Sequence, residues 1–291
     1  MELERLRILQ VVAEEGSVSR AAVRLFRTQP AVSMQLATLE AEAGTQLLTR
    51  TGRGVRPTPE GRRLLACAAE LFRAHDRMRE AWSGEAEAGD LRVAASDTVS
   101  RHLLPGALRA LVRRRPGVRV HLFQSATPDS LNLLRGGEVE VAFLLLPIAD
   151  GRLAREVVLR YRHVAVYPRA RRGSGAVAAE ELAQGPLVLL ARGTQTRHLV
   201  DEAFRSRGIA PARVLEVGSV SIQKEMVRCG LGVGIAPAYA VEPQDRLRTR
   251  PIAGASTREI AVAWRNDLPL TGAAQAFLEQ IRAQARRRAG P

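Results

Sequence analysis

The chain has 291 residues, 46% of them hydrophobic, enough for two or three compact units and too many for one small domain. Its net charge is +14, yet residues 1–90 hold 13 Arg against 13 Asp or Glu, so the excess lies behind them. There is no apolar run of 18 residues, MELERLR has no signal-like apolar core, and Cys67 and Cys229 are far apart; a membrane-spanning or disulfide-stapled class is excluded and a soluble cytoplasmic protein without a membrane partner is predicted.

Leu3, Leu6, Leu9, Val12 and Ala13 predict a first helix with one apolar face. The next stretch, GSVSRAAVRLFRTQPAVSMQLATLEAEAG from Gly16 to Gly44, holds two helical patterns separated by a turn too tight to be a linker. Ser17 is the N-cap of the first, Val18–Leu25. Thr28 caps the second, whose early Pro30 gives up only an amide hydrogen that no helical bond would use. In that second helix Val32, Leu36, Leu39 and Ala43 form the inward stripe. Gln29, Pro30, Ser33, Met34 and Thr38 lie away from it, and Gln35 borders it. A helix bearing short polar groups on its first two turns suits the major groove, where glutamine bonds adenine at two points and Thr28 with the free amides holds a phosphate. An ordinary helical hairpin is the bland alternative. From Gly16 to Arg63 eight Arg face three Glu, a local excess that a phosphate backbone would attract.

LLTR and VRP then read as two short strands joined by Thr51 to Gly54, a wing with Arg50 at its base and Arg53 at its tip. From Thr58, Pro59 and Glu60 a long helix runs to about Ser83. Leu64, Ala68, Leu71, His75, Met78 and Trp82 recur along it at alternating spacings of four and three, the seam of a coiled coil, which predicts dimerisation; packing within the chain is the alternative. Gly84 to Asp90 reads as a hinge.

Behind the hinge strands alternate with helices: LRVAAS, Leu103–Arg114, VRVHLF, Asp129–Arg135, VEVAFLLL; then HVAVYP, Ala178–Ala183, PLVLLA, Thr196–Arg207, RVLEVG, Ser221–Cys229, VGIAP. This alternation predicts two α/β lobes with parallel sheets and a ligand cleft at the strands' carboxyl ends. EIAVAWR is a further strand, and Thr271–Arg288 a final helix that buries Ala274, Phe277, Leu278 and Ile281. Ser96, Thr98 and Ser100 follow the first strand; Thr194, Gln195 and Thr196 hold the equivalent place in the second lobe, and Ser219 and Ser221 start its next helix. Each hydroxyl alone reads as a cap; repeated at strand ends in both lobes they become candidates to bind a small anion.

No metal spacing exists among the five scattered histidines, and no cofactor is expected. Ser221 to Lys224 spells S-x-x-K without its companion motifs, and GLGVG follows a helix where a dinucleotide loop would follow a strand. Gly230 reads as a helix C-cap, and both cysteines read as buried small apolar groups.

LRILQVVAEEGSVSRAA, RTQPAVSMQLATLEAEAG, LLTR and GRGVRPTPEG, in that order and followed by the long helix, resemble the LysR-type transcriptional regulators of bacteria. The resemblance spans the chain. It implies a winged helix-turn-helix over residues 1–58, a dimerising linker helix and hinge over 59–89, and an effector domain over 90–291 similar to periplasmic solute-binding proteins. Lobe I would be about 90–162 and 267–291, lobe II about 163–266. The family's groove residues map onto Thr28, Gln29, Pro30, Ser33, Met34 and Gln35, with Arg50 and Arg53 on the wing; Met34 departs from the usual polar residue. Effector contacts map near Ser96, Thr98, Thr127, Leu145, Thr194, Thr196 and Ser219, with Leu144, Leu145 and Leu146 making one wall apolar. What it implies is a non-enzymatic dimer or tetramer that bends promoter DNA, answers to a small-molecule effector and touches RNA polymerase. A transported-solute receptor and an enzyme built on Ser221 and Lys224 remain the readings from other classes.

Overall fold

The computed structural model describes residues 1–52, 54–83, 88–171 and 173–289. Two compact units emerge, one built on Met1–Gly89 and the other on Asp90–Arg135 with Val139–Pro291.

In the first unit α1 (Leu3–Glu15), α2 (Val18–Arg24) and α3 (Gln29–Ala43) close a core of Leu6, Leu9, Val12, Ala21, Ala22, Val32, Leu36 and Leu39. The periodicity made this packing legible: every residue of the α3 stripe before Ala43 is buried. Local chemistry sets the ends. Ser17 Oγ accepts from Arg20 N, Thr28 Oγ1 accepts from Ala31 N, and Gly16 and Gly44 take the left-handed conformation that ends α1 and α3. The wing, β1 (Leu48–Thr51) and β2 (Gly54–Pro57), pairs antiparallel from Leu48↔Pro57 to Thr51↔Gly54. It is tied down at both strands: Glu40 Oε1 accepts from Leu47 N and Leu48 N (2.8 and 3.1 Å), and Val55 N donates to Gly16 O (2.9 Å).

The linker helix α4 spans Pro59–Ser83. Its expected seam divides. Ala68 is 2% exposed and belongs to the unit's own core with Phe72, and Leu64 packs against that core. Those two are therefore spent on intramolecular packing, because Phe72 under the Arg7 guanidinium (4.1 Å from the ring) draws that side of the helix inward. Leu71 and Met78 are exposed apolar residues, and His75 is half-buried. The Trp82 side chain and the expected hinge residues 84–87 lie outside what is described, as does Arg53. Cys67 is exposed on α4 and Cys229 is exposed in the second unit, which corrects the expectation of two buried thiols.

The second unit holds two five-stranded sheets. The first has the order β4-β3-β5-β12-β6, from β3 (Ala88–Ala95), β4 (Gly117–Gln124), β5 (Val141–Leu145), β6 (Leu153–Tyr161) and β12 (Arg258–Arg265). The second has the order β11-β7-β10-β8-β9, from β7 (His163–Pro168), β8 (Pro186–Leu190), β9 (Arg213–Val217), β10 (Val233–Pro237) and β11 (Leu247–Pro251). Both sheets are mixed, where parallel sheets were expected. β3 runs parallel to β5, and β8 to β9 and β10, but β12 is antiparallel to β5 and β6, and β7 to β10 and β11. The antiparallel strands are the ones that cross between lobes or return from a crossing. β6 and β11 were not foreseen: charged residues interrupt their apolar pattern, Arg155, Glu156 and Arg160 in one, Arg248 and Arg250 in the other.

The chain passes from lobe I to lobe II at Arg162 and returns at 252–257, ahead of β12 rather than behind it. The lobe boundary drawn at residue 267 is thereby corrected: β12 fills the slot between β5 and β6, with Val262 facing Phe143 across one ladder and Glu156 across the other. Arg162 Nε donates to Thr257 Oγ1 (3.1 Å), joining the two crossings. Helices α5 (Asp97–His102), α6 (Leu104–Arg114), α7 (Thr127–Arg135) and α11 (Gly272–Ala289) belong to lobe I, and α8 (Ala179–Ala183), α9 (Gln195–Arg205) and α10 (Val220–Arg228) to lobe II. Ala274, Phe277, Leu278 and Ile281 of α11 are buried against α6 and the lobe I sheet.

Candidate functional site

Two sites were expected, one in each unit. In the first unit Thr28, Gln29, Pro30 and Met34 stand exposed on the opening turns of α3, and Ser33 is half-exposed among them. Gln29 Nε2 donates to Ser33 Oγ (3.0 Å), so each holds the other's rotamer. Met34 is 64% exposed, a thioether where a hydrogen-bonding group was expected. Gln35 differs from its neighbours: its Oε1 accepts from Arg5 Nε (3.0 Å), which turns it toward α1.

The local positive charge is sorted by ion pairing. Arg20 and Arg24 are neutralised by Glu14 and Glu15 of α1, and Arg27 by Glu4. Arg50 and Arg56 on the wing are exposed and form no ion pair among the described residues. Arg56 was not singled out in the sequence, although its place two residues behind Gly54 on the predicted second wing strand was a usable signal. The helix face and the wing together offer neutral hydrogen-bonding groups flanked by free guanidinium groups, the combination that reads base edges while gripping phosphates.

In the second unit, seven of the eight predicted effector residues line one cavity of about 440 Å³ between the lobes: Ser96, Thr98, Thr127, Leu145, Thr194, Thr196 and Ser219. They meet because β3, β4, β5, β8 and β9 all present their carboxyl ends to the same space. Ser100 is corrected. Its Oγ is buried, with no hydrogen-bond partner among the described residues, one helical turn past Ser96 on α5 and away from the cavity lining. Leu144 joins Leu145 on the apolar wall, whereas Leu146 lies beyond it.

The hydroxyls do local work as well. Ser96 Oγ, Thr194 Oγ1 and Ser219 Oγ accept from Val99 N, Arg197 N and Ile222 N, each capping a helix start. Thr127 Oγ1 accepts from Leu145 N (3.2 Å) and links the two sides of lobe I's strand ends. Thr196 Oγ1 lies 3.4 Å from His163 Nε2. Burial, aided by the Arg258 charge, pushes the His163 pKa down to about 4, so this imidazole is neutral.

Sequence reasoning missed the aromatic floor. Tyr161 and Tyr239 line the cavity edge to face, their centroids 5.1 Å apart, and Tyr161 meets His163 in the same manner at 5.4 Å. Burial holds the Tyr161 phenol up at about 12, so it remains a neutral donor. Gln124, Ser125, Gln195, Asp97 and Asp129 complete the polar lining; Asp97 Oδ1 accepts from Arg101 Nε (3.0 Å). The S-x-x-K and GLGVG segments are structural. Lys224 Nζ donates to Ala240 O and pairs with Asp245 (2.8 Å), which leaves it no part as a base toward Ser221. Gly230, at φ +78°, ends α10 as expected. Among the described residues no cluster of His, Cys, Asp or Glu is arranged to hold a metal, and no helix is long and apolar enough to cross a membrane.

Two family models match in the same order as the two units: the bacterial regulatory helix-turn-helix protein, lysR family, over residues 3–62, and the LysR substrate binding domain over residues 84–286. The chain belongs to the LysR family. It is 30% identical to the HTH-type transcriptional regulator YfeR of Shigella flexneri, across 97% of this chain and 94% of that one. Among solved structures, a full-length OxyR cysteine variant from Pseudomonas aeruginosa matches at 27% identity and a TM-score of 0.78, covering 97% of this chain and 95% of the other. Full-length CbnR complexed with its target DNA matches at 25% identity and a TM-score of 0.67, covering 98% and 100%. This LysR-family protein is thus a DNA-binding transcriptional regulator, with its helix-turn-helix in the first unit and its effector-binding domain in the second.

Proposed function

We propose that this LysR-family regulator reads promoter DNA with Gln29 and Ser33 of α3, grips phosphates with Thr28, Arg50 and Arg56, and answers to a small polar effector bound in the cavity between its lobes. The observation that carries the reading is the convergence of Ser96, Thr98, Thr127, Thr194, Thr196 and Ser219 from four strand ends of both lobes on one cavity. A ligand bonding to both sets favours the closed arrangement of the lobes, and that differential affinity is what shifts the population.

The lining also constrains the ligand. Among the described residues it contains Asp97 and Asp129 but no Arg, Lys or His, so an anionic group would be held by hydroxyls and by the starts of α9 and α10. Two aspartates beside it favour an effector with at most one negative charge, and the Tyr161–Tyr239 floor suits a flat apolar portion. The adjoining cavity, about 700 Å³, carries exposed Arg192 and Arg205 beside the Arg197–Asp201 pair, an excess of positive charge that would draw such an anion inward.

Self-association fits two further features. The edge strands β4 and β9 carry exposed Leu122, Val214 and Leu215, and exposed Val112 and Ile222 lie on the neighbouring α6 and α10. These unpaired edges with apolar residues suit a second copy better than water, and Leu71 and Met78 of α4 offer another contact. We assign the working form as a dimer, or a tetramer of two dimers; a chain sedimenting as a monomer at micromolar concentration would refute this. Contact with RNA polymerase and action in the cytoplasm belong to the same reading.

The test separates the two sites. Footprinting upstream of the protein's own gene supplies the DNA. At fixed salt, Gln29→Ala with Ser33→Ala should lower specific affinity by about 1–3 kcal/mol and relax specificity. Thr98→Val should leave affinity unchanged but blunt the response to whichever metabolite raises the melting temperature of the full chain. Undiminished specificity in the first variant, or an undiminished response in the second, removes those residues from their roles.

A further inference from the structure

Lobe II contains a second cavity, of about 340 Å³, that the regulatory reading does not use. Its walls are Leu182 of α8, Val200 and Phe204 of α9, Ile235 of β10 and Ile252 of the returning crossing. An apolar chamber of this size accepts a molecule of about ten heavy atoms, and an engineered apolar cavity of roughly half that volume takes up benzene. His163 stands between the chamber and the effector cavity: it lines the first, and its Nε2 meets Thr196 of the second.

The chamber is not purely apolar, and its charge is uneven. Arg258 lines it, half-buried at the start of β12, and makes no side-chain hydrogen bond or ion pair among the described residues. A half-buried guanidinium lining an apolar chamber offers an anionic group charge-assisted hydrogen bonds from several donors. Two arginines elsewhere in this lobe are satisfied: buried Arg197 bonds Asp201, Glu216 and the Leu190 carbonyl, and half-buried Arg250 bonds Glu181 and two backbone carbonyls. Arg207 adds a second cation at the exposed rim; the single carboxylate of the lining, Glu202, is also exposed. An apolar body with one anionic end matches both halves of this lining.

We propose that the chamber is a second small-molecule site, separate from the effector cavity, and that it takes an amphiphilic monoanion: an aliphatic or aromatic body among Leu182, Val200, Phe204 and Ile252, with its carboxylate on Arg258. Because the returning crossing between the lobes forms one wall, an occupant there touches the segment about which the lobes turn.

Octanoate is the probe, with octan-1-ol as the uncharged control, each titrated calorimetrically into the full-length protein. Wild type should bind octanoate saturably, and at least about tenfold more tightly than the alcohol, as a charge-assisted contact implies. Arg258→Gln should abolish that preference, and Ala203→Phe, which fills the chamber from α9, should abolish binding. Thr98→Phe, which fills the effector cavity instead, should leave octanoate binding as in wild type. Circular dichroism melts establish that each variant is folded; should Ala203→Phe not fold, the octanoate preference in Arg258→Gln decides alone. The proposal is overturned by no saturable binding, by an unchanged preference in Arg258→Gln, or by binding that is lost in Thr98→Phe and kept in Ala203→Phe. The last outcome would place the acid in the effector cavity and leave the regulatory reading intact.

Discussion

Gly61 carries the contact that fixes the wing against the linker helix, and adding one methyl there should undo it. A Cβ at this position would lie 2.0 Å from Leu47 O and 3.0 Å from Leu47 C, both backbone atoms that no rotamer change can move. Ordinary contact begins at about 3.4 Å, so α4 and the strand entry must part by more than about 1 Å. The same carbonyl accepts from Thr58 N (3.0 Å), and Thr58 Oγ1 donates to Gln46 O (2.8 Å). Overpacking costs about 1–3 kcal/mol, and each weakened hydrogen bond about 1 kcal/mol. Alanine's better helix propensity returns at most about 1 kcal/mol. The net loss should be about 2–4 kcal/mol, a fall of about 10–20 °C in the melting temperature of a unit this size. Thermal unfolding of Gly61→Ala followed by circular dichroism, with Gly52→Ala as a control that meets nothing within 4 Å, measures it. A melting temperature equal to or above wild type would show that the glycine is a propensity defect and that the close approach is not needed.

Two further outcomes follow from single residues. Phe26, in the turn between α2 and α3, has φ +54° and is 98% exposed, so Phe26→Asn should lose no packing and gain about 0.5–1 kcal/mol by relieving left-handed strain; a lower melting temperature would contradict this. His163 titrates near 4 when folded and near 6.5 when unfolded, so the unfolded chain binds the extra proton between those values and stability present above pH 6.5 is lost as the pH falls toward 4. The loss should be about 3 kcal/mol, and His163→Gln should flatten that part of the stability profile in urea unfolding; an unchanged slope would exclude burial of this imidazole as its source.

What could be read without coordinates was whatever one or two turns of chain decide. Ser17, Thr28, Ser96, Thr194 and Ser219 announce helix starts by their own hydroxyls, and each caps the helix expected of it. The stripe of α3 and the buried side of α11 follow from the 3.6-residue period alone. Strand ends were located well enough that seven candidate residues meet at one cavity, because a cap following an apolar run marks the carboxyl end of a parallel strand wherever it lies in the sheet. Ser100 is the exception: it lies one turn past Ser96 on the helix Asp97–His102, where its side chain is buried away from the cavity lining.

What remained hidden depended on residues far apart in the chain. β12 enters lobe I's sheet between β5 and β6, a choice of hydrogen-bond partners more than 90 residues away that leaves no mark in the local pattern. The pairing of Tyr161 with Tyr239 beneath the effector cavity, the neutralisation of Arg20, Arg24 and Arg27 by acids of α1, and the unpartnered state of Arg258 are of the same kind. Local propensity and periodicity determine which segments become helices and strands and which faces they bury, since those depend on neighbours within a few residues. Sheet order, ion-pair partners and the contents of a cavity are settled only when distant segments compete for the same hydrogen bonds and the same space, and that competition is decided by the folded chain as a whole.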